Sequence, residues 1–461
     1  MPFSNSQMRD AQSVLHPYTN LMKHRDQGPM ILDHAKGCRV YDENGKDYIE
    51  AMAGLWCTAL GWGVDELADV AAEQMRKMAF AHIFGGRSHE PAIALAEKLK
   101  EISPFPAGKV FFANSGSEAN DTQVKLAWYA ANSRGKPKAK KIVSRMKAYH
   151  GVTLVAASLT GLPNNHKSFD LPFDFVKFAD CPHYYRNAEP GESERDFSKR
   201  MASNLDGFIL REGPDTIAAM IAEPVMGAGG VILPPEGYFD AITAVLDTYG
   251  IALIDDEVIT GFGRTGEWFG CGKYGFEPDS MTMAKQLSSA YLPISAVVLS
   301  PELTEAIEEE SGRIGTFGHG FTYTGHPVAA AVALRVIEIY QERDIVGHVR
   351  RVAPHFLKKL RALSDHPLVG EANGVGLIGG VELVADKKTK KSFDPARQVG
   401  ATVNAFALEE GLITRPMLSD RLAFCPPLVI DEAEIDEMFA RFERALAKGL
   451  DWARREKLLG R

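Results

Sequence analysis

Between residues 65 and 330 the chain alternates short apolar runs with helical patterns, and this rhythm restricts the fold more than any other feature. KVFFAN (109–114), KKIVSR (140–145), TIAAMIAEP (216–224), GIALIDDE (250–257), SMTMAK (280–285) and ISAVVLS (294–300) read as strands. Strands alternating with helices build a mostly parallel sheet with helices on its faces. In such sheets ligands gather at the C-terminal ends of the strands, so chemistry is sought where those six runs stop.

The flanking segments organise differently. CRVYDENGKDYIEA (38–51) is two alternating runs around Asn44-Gly45, the signature of a β-hairpin. After a Gly-rich stretch at 312–326, residues 328–365 carry two long helical patterns, 374–386 (GVGLIGGVELVAD) reads as strand, and 432–450 reads as a final amphipathic helix. The expected division is an N-terminal arm and β-ribbon (1–60) packing on the small domain, a large domain (61–327), and a small α+β domain (328–461). A length of 461 residues supports two or three domains.

Composition excludes several function classes. A formal net charge of −8 with no basic stripe argues against a nucleic-acid surface. The five cysteines are scattered, with no CxxC pair, so neither a disulfide framework nor a metal site is implied. Neither a signal-peptide core in MPFSNSQMRD nor a run of roughly 20 apolar residues is present, so no membrane is implied and a cytoplasmic setting is expected.

DDEVITGFGRTG (255–266) places Gly261, Gly263 and Gly266 at the spacing of a dinucleotide-binding turn. That reading needs the glycines to open a helix, and EWFGCGKYGFEPD, which follows, has no helical period. A flexible surface loop is the plain alternative. What lifts the stretch above both is Lys285, at the end of MTMAK and 29 positions beyond Asp256. A lysine and a carboxylate at neighbouring strand ends can serve pyridoxal phosphate, the amine as Schiff base and the acid as partner of the pyridinium nitrogen. A buried opposite charge favours the protonated ring. Alternation along the strand turns Asp255 away from Asp256 and puts Val258 on the face of Asp256. Taken singly, Lys285 would be a solvated lysine and Asp256 a turn acid.

The cofactor also needs a phosphate cup. NSGSEAND (114–121) follows KVFFA and precedes a helical run, and Ser115 with Glu118 makes a capping-box pattern. Gly116 and Ser117 then sit at a helix N-terminus, whose free N–H groups and dipole favour an anion. Plain helix capping accounts for this octapeptide equally well.

NSGSEAND, AYHG, AEPVMGAGG, DEVITGFGRTG, AKQLSSAY and HGFTYTGHP occur in this order, and together they make the chain resemble the class III aminotransferases. Within these it resembles the amine:pyruvate group, the ω-transaminases, from about residue 15 to 455. The resemblance implies fold type I pyridoxal-phosphate architecture, with a seven-stranded sheet in the large domain. It also implies a homodimer, or a tetramer, with shared active sites. It makes Lys285 the Schiff-base lysine and Asp256 the ring-nitrogen partner. Gly116, Ser117 and the other subunit's Thr322 would bind phosphate, Tyr149 and Val258 would sandwich the ring, and His150 and Glu223 would lie in the same cofactor site. Trp56, Phe84 and Tyr149 would line the substrate pocket, Phe84 reaching in from the partner. Arg415 matches the group's mobile arginine, which pairs with an acceptor carboxylate and swings aside for an apolar amine.

The implied reaction is ping-pong transfer of an amino group from a primary amine or ω-amino acid to pyruvate, with pyridoxamine phosphate between the half-reactions. Related enzymes on this scaffold include aminomutases and decarboxylases; Arg415 and the Trp56 pocket favour transfer. A non-enzymatic cofactor-binding protein would not need both Lys285 and Asp256. The chain departs from relatives at Gln286, Ala290 and Ser295, where glycines are common, and the expectation is a narrower pocket. Gly85 replaces a second aromatic of some relatives and would open the pocket locally.

Overall fold

The computed structural model describes residues 3–459. Its centre is a seven-stranded sheet: β1 (Val110–Ala113), β2 (Lys141–Arg145), β3 (Val176–Ala179), β4 (Ile217–Ala222), β5 (Ala252–Asp256), β6 (Ser280–Met283) and β7 (Ser295–Leu299). Their spatial order is β1-β7-β6-β5-β4-β2-β3. β7 runs antiparallel to both neighbours and every other pair is parallel. The six apolar runs are six of these strands. The seventh, β3, went unread because it is a four-residue edge strand with two half-buried positions, and so lacks a long apolar run.

Both faces of the sheet are covered, and β5 shows why its strands are apolar before their C-terminal ends. Leu253 packs with Phe197, Ile209, Phe239 and Leu246 of the helices Glu194–Glu212 and Tyr238–Tyr249. Ile254, one residue on, packs with Val124 of the helix Gly116–Ser133 on the other face. Burying each such side chain contributes about 1.5–3 kcal/mol.

The hairpin read around Asn44-Gly45 joins Arg39–Asp42 to Asp47–Glu50, with Gly45 N–H bonding Asp42 O at 2.9 Å. This ribbon is extended in parallel by Leu412–Ile413 from the C-terminal part of the chain. The expected single strand at 374–386 is instead a hairpin, Val369–Val375 with Ile378–Leu383, turning at Gly376. Gly376 adopts φ +55, and a Cβ there would lie 2.3 Å from Arg264 O. An apolar turn embedded in an apolar run carries no break in hydropathy, which hid it. The strands Arg421–Phe424 and Arg415–Met417 complete this antiparallel sheet. The helical patterns are Pro327–Glu342, Ile345–Ala362 and Glu432–Arg455. Among the described residues no helix is long and apolar enough to cross a membrane.

The glycine turn is no surface loop. Residues 259–266 are buried, and the Arg264 guanidinium donates to Leu377 O at 2.9 Å and Pro426 O at 2.5 Å. It therefore clamps the end of β5 to the C-terminal sheet. A five-residue helix, Gly270–Tyr274, does follow it, although no helical period announced one. Its N-terminal amide at Cys271 is already taken by the Glu257 carboxylate at 2.7 Å, so this helix end holds the protein's own anion and not a pyrophosphate.

Candidate active site

β5 and β6 are parallel neighbours with Asp256 in register with Thr282, so their C-terminal ends deliver Asp256 and Lys285 to one cavity. Lys285 opens the short helical turn Lys285–Ser288 with φ +48, a backbone region rarely used by residues other than glycine. Burial pushes its amine below the ordinary lysine value, while Asp256 pulls the other way.

Asp256 is 4% exposed, and both of its oxygens accept hydrogen bonds. His150 Nδ1 and Asn120 Nδ2 reach its Oδ2 at 2.7 and 2.8 Å, and Val258 N–H reaches Oδ1 at 3.1 Å. Asn120 Nδ2 also donates to His150 O at 2.7 Å, which fixes the AYHG loop over the strand end. Asn120 was not foreseen. It lies one helical turn beyond Gly116, and that i, i+4 spacing is the signal that would have found it.

The alternation reading describes the other side of the strand. Asp255 and Glu257 point away from Asp256 into a pocket with Cys271, and burial pushes both carboxyls upward. Glu223 reaches the cavity from the end of β4; its Oε1 accepts Tyr149 N–H at 3.0 Å and its Oε2 accepts Gly227 N–H at 2.9 Å. Its carboxyl is raised by burial.

At the phosphate cup Ser115 is the N-cap, its hydroxyl accepting Glu118 N–H at 3.2 Å. The reciprocal bond is shifted by one residue, for Glu118 Oε2 accepts from Asn114 N–H at 2.8 Å. Ser117 Oγ accepts Val152 N–H at 3.0 Å, tying this helix to the AYHG loop.

Gly116, Ser117, Tyr149, His150, Glu223, Asp256, Val258 and Lys285 thus share one cavity. Trp56 is buried against Val225, Ile259 and Ala423, and Ile259 in turn lines the cavity. Arg415 is half-buried near Tyr149 and Tyr18, and burial lowers its guanidinium. Tyr18 comes from the N-terminal arm, lies near Tyr149 with its hydroxyl accepting from Asn165 Nδ2 at 2.6 Å, and gave no sequence signal. Phe84 and Thr322 lie elsewhere on the single chain. Both are exposed, and Phe84 abuts Gly320 in the segment that carries Thr322.

The departures do not narrow this cavity as expected. Gln286 Nε2 is turned back onto Ile259 O at 2.7 Å, and Ser295 Oγ donates to Ser115 O at 2.8 Å. Ala290 is exposed, and Gly85 faces open space. The two polar substitutions support the cavity wall from behind, because each finds a backbone carbonyl there.

Residues 21–446 match the family model of class-III aminotransferases. The chain belongs to this family. It is similar to γ-aminobutyrate transaminase 3 of Solanum lycopersicum, a chloroplastic protein, at 48% identity over 94% of this chain and 83% of the relative. It is also similar to the ω-transaminase of Pseudomonas jessenii, whose crystal structure in complex with PMP superposes with a TM-score of 0.96 at 48% identity, covering 97% of this chain and 99% of that one. A transaminase solved with L-Ala matches at 53% identity and a TM-score of 0.90, covering 92% and 99%.

The family cofactor, pyridoxal phosphate, fits the cavity on three observations. His150 Nε2 and Asn120 Oδ1 are buried without partners. A Cβ at Gly116 would come within 3.1 Å of Val258 Cγ2, so the helix N-terminus is bare of side chain where it faces the wall. The donor set joins an amine, a held carboxylate and first-turn amides, which match an aldehyde, a pyridinium and a phosphate respectively.

Proposed function

We propose that this aminotransferase carries an amino group from a primary amine or ω-amino acid to pyruvate, and that Arg415 holds the acceptor's carboxylate. The carrying observation is the half-buried Arg415 guanidinium near Tyr149, which makes no ion pair among the described residues. A guanidinium is a bidentate carboxylate receptor, and partial burial strengthens the pairing. One similar enzyme is named for γ-aminobutyrate and another was solved with L-Ala; both compounds carry an amine and a carboxylate, which agrees with a site that must accept both.

When bound, pyridoxal phosphate supplies an electron-withdrawing ring that stabilises negative charge at the substrate carbon. The chain's residues do the rest. Lys285 would bond the cofactor covalently; once a substrate amine displaced it, its freed Nζ, favoured in the neutral form by burial, would carry the substrate carbon's proton to the cofactor carbon. Asp256, held by His150 and Asn120, supplies a fixed anion for the ring nitrogen. Val258 and Tyr149 would wall the ring, and Gly116 and Ser117 would bind phosphate through backbone amides and hydroxyl. Trp56 shapes the apolar side. Phe84 and Thr322 would complete the site from a second copy, making the working unit a homodimer or a tetramer of two such pairs. The five cysteines are unpaired, which suits a reducing compartment such as the cytoplasm.

The test compares pyruvate with an apolar aldehyde acceptor that lacks a carboxylate. Arg415→Ala is expected to lower kcat/KM for pyruvate by at least tenfold more than for the aldehyde, since a charge-assisted bidentate pair contributes roughly 1.5–3 kcal/mol. Equal losses for both acceptors would remove Arg415 from this role.

A further inference from the structure

Outside the cavity lies a buried charge cluster between the two sheets. Arg421 is 1% exposed and uses its whole guanidinium: Nη1 reaches Glu371 Oε2 and Glu382 Oε2 at 2.6 Å each, and Nε reaches Gly230 O at 2.5 Å. Glu382 is also held by Arg186 Nε at 2.6 Å, and Glu371 by His183 Nε2 at 3.0 Å. His183, Glu371 and Glu382 lie close enough to hold a metal ion, yet the cluster has no need of one. Two guanidiniums balance two carboxylates, and Arg421 already occupies the space between them.

The cluster's partners reveal what it joins. Arg421 pairs with Met417 across the strand that begins at Arg415, so its position fixes the backbone of Arg415 two residues away. On the other side, Gly230 N–H bonds Gly227 O at 3.1 Å, and Gly227 N–H bonds Glu223 Oε2 at 2.9 Å. Glu223 in turn holds Tyr149 N–H. One guanidinium thus connects the strand of Arg415 to the loop that sets Glu223 and Tyr149 in the cofactor cavity. We infer that Arg421 is a positioning residue for the acceptor half-reaction, setting the distance between Arg415 and the cavity floor so that a keto acid's carboxylate and carbonyl are seated together. This rests on the reading of Arg415 as the carboxylate receptor.

The physical ground is rigidity. A keto acid is held at two points on two different sheets, whereas an aldehyde without a carboxylate is held at one. A misplacement of 1 Å between two such points costs on the order of 10²-fold in rate. Lysine cannot replace the fork, because its point-like ammonium cannot span the two carboxylates and the Gly230 carbonyl with fixed geometry.

The experiment uses the cofactor-loaded enzyme and measures kcat/KM for pyruvate and for an apolar aldehyde in Arg421→Lys, with Glu371→Gln as a milder second variant that keeps the shape of the site. The expected result for Arg421→Lys is a loss of at least tenfold for pyruvate with the aldehyde within threefold of the parent. Glu371→Gln should shift the ratio in the same direction by less. If Arg421→Lys fails to fold, a shifted ratio in Glu371→Gln supports the inference and an unchanged ratio overturns it. A parallel fall for both acceptors, or no change in either variant, marks a purely structural cluster and overturns it as well. Arg415→Ala separates the two readings. If it lowers the ratio while the cluster variants do not, the positioning role alone fails; if it leaves the ratio unchanged, the receptor reading fails and this inference with it.

Discussion

Removing one hydrogen bond from Asp256 should show how much of the cofactor's hold comes from its surroundings. Asn120 is 1% exposed, and its amide bridges Asp256 Oδ2 at 2.8 Å and His150 O at 2.7 Å. Asn120→Ala deletes both contacts at a buried position. A hydrogen bond to a charged group contributes roughly 1.5–3 kcal/mol, and every 1.4 kcal/mol is about tenfold in an equilibrium constant. Asp256 keeps the His150 Nδ1 contact at 2.7 Å, so its anion is weakened and not lost. The expected outcome is that the dissociation constant of pyridoxal phosphate from the apoenzyme rises by roughly ten- to a hundredfold. The amine half-reaction should slow as well, because the anion facing the ring is less well held. Absorbance titration of the apoenzyme measures the first, and stopped-flow with a single amine measures the second. A variant that binds cofactor within twofold of the parent and reacts at the parental rate would refute the claim that Asn120 and His150 together hold Asp256 in place.

Two further outcomes follow from the same structure. Gly151 adopts φ +136, and a Cβ there would meet Ser117 Oγ at 2.4 Å and Ala156 Cβ at 2.8 Å. Gly151→Ala should therefore push the AYHG loop off the phosphate helix and lower both cofactor affinity and Tm, strain of this kind costing roughly 1–3 kcal/mol; unchanged Tm and affinity would contradict it. The charge cluster should make stability fall in acid. Beside His183 and Arg421, Glu371 is held down to about 2 from 4.5, so its contribution is complete above the ordinary carboxylate value and disappears as pH falls through about 2. His183 is lowered by burial from 6.5, so the unfolded chain gains a proton there first and the loss begins near that value. At most about 3 kcal/mol from Glu371 is involved, since each pKa unit is 1.36 kcal/mol. The Tm difference between the parent and Glu371→Gln should shrink between pH 5 and 3, and a constant difference would refute the assignment.

The readable parts of this chain were those where one residue pattern has one physical solution. Uninterrupted apolar runs ending in Asp256 and Lys285 must be interior strands, and neighbouring strand ends must share a cavity. The hairpin at Asn44-Gly45 was visible because turn chemistry separates two alternating runs. The edge strand Val176–Ala179 and the turn at Gly376 were hidden for opposite reasons, the first too short and half-exposed, the second too apolar to look like a turn. Tyr18, Asn120 and Arg421 escaped because their importance lies in what they touch across long sequence separations. Arg421 reads as one arginine among many until Glu371, Glu382 and Gly230 are folded around it. Gln286 and Ser295 were legible as unusual residues, but the direction of their side chains, away from the cavity, was not.

The most direct test of the Lys285 and Asp256 cavity as a two-step amino-transfer site is the visible spectrum of the protein loaded with pyridoxal phosphate. It would be recorded as one amine after another is added without acceptor, and again after pyruvate. The expected result is that the long-wavelength band of the bound cofactor falls with a competent amine and returns with pyruvate in the parent, while Lys285→Ala completes no cycle. A band that no amine changes, one that falls and never returns with pyruvate, or a Lys285→Ala protein that turns over repeatedly would contradict it.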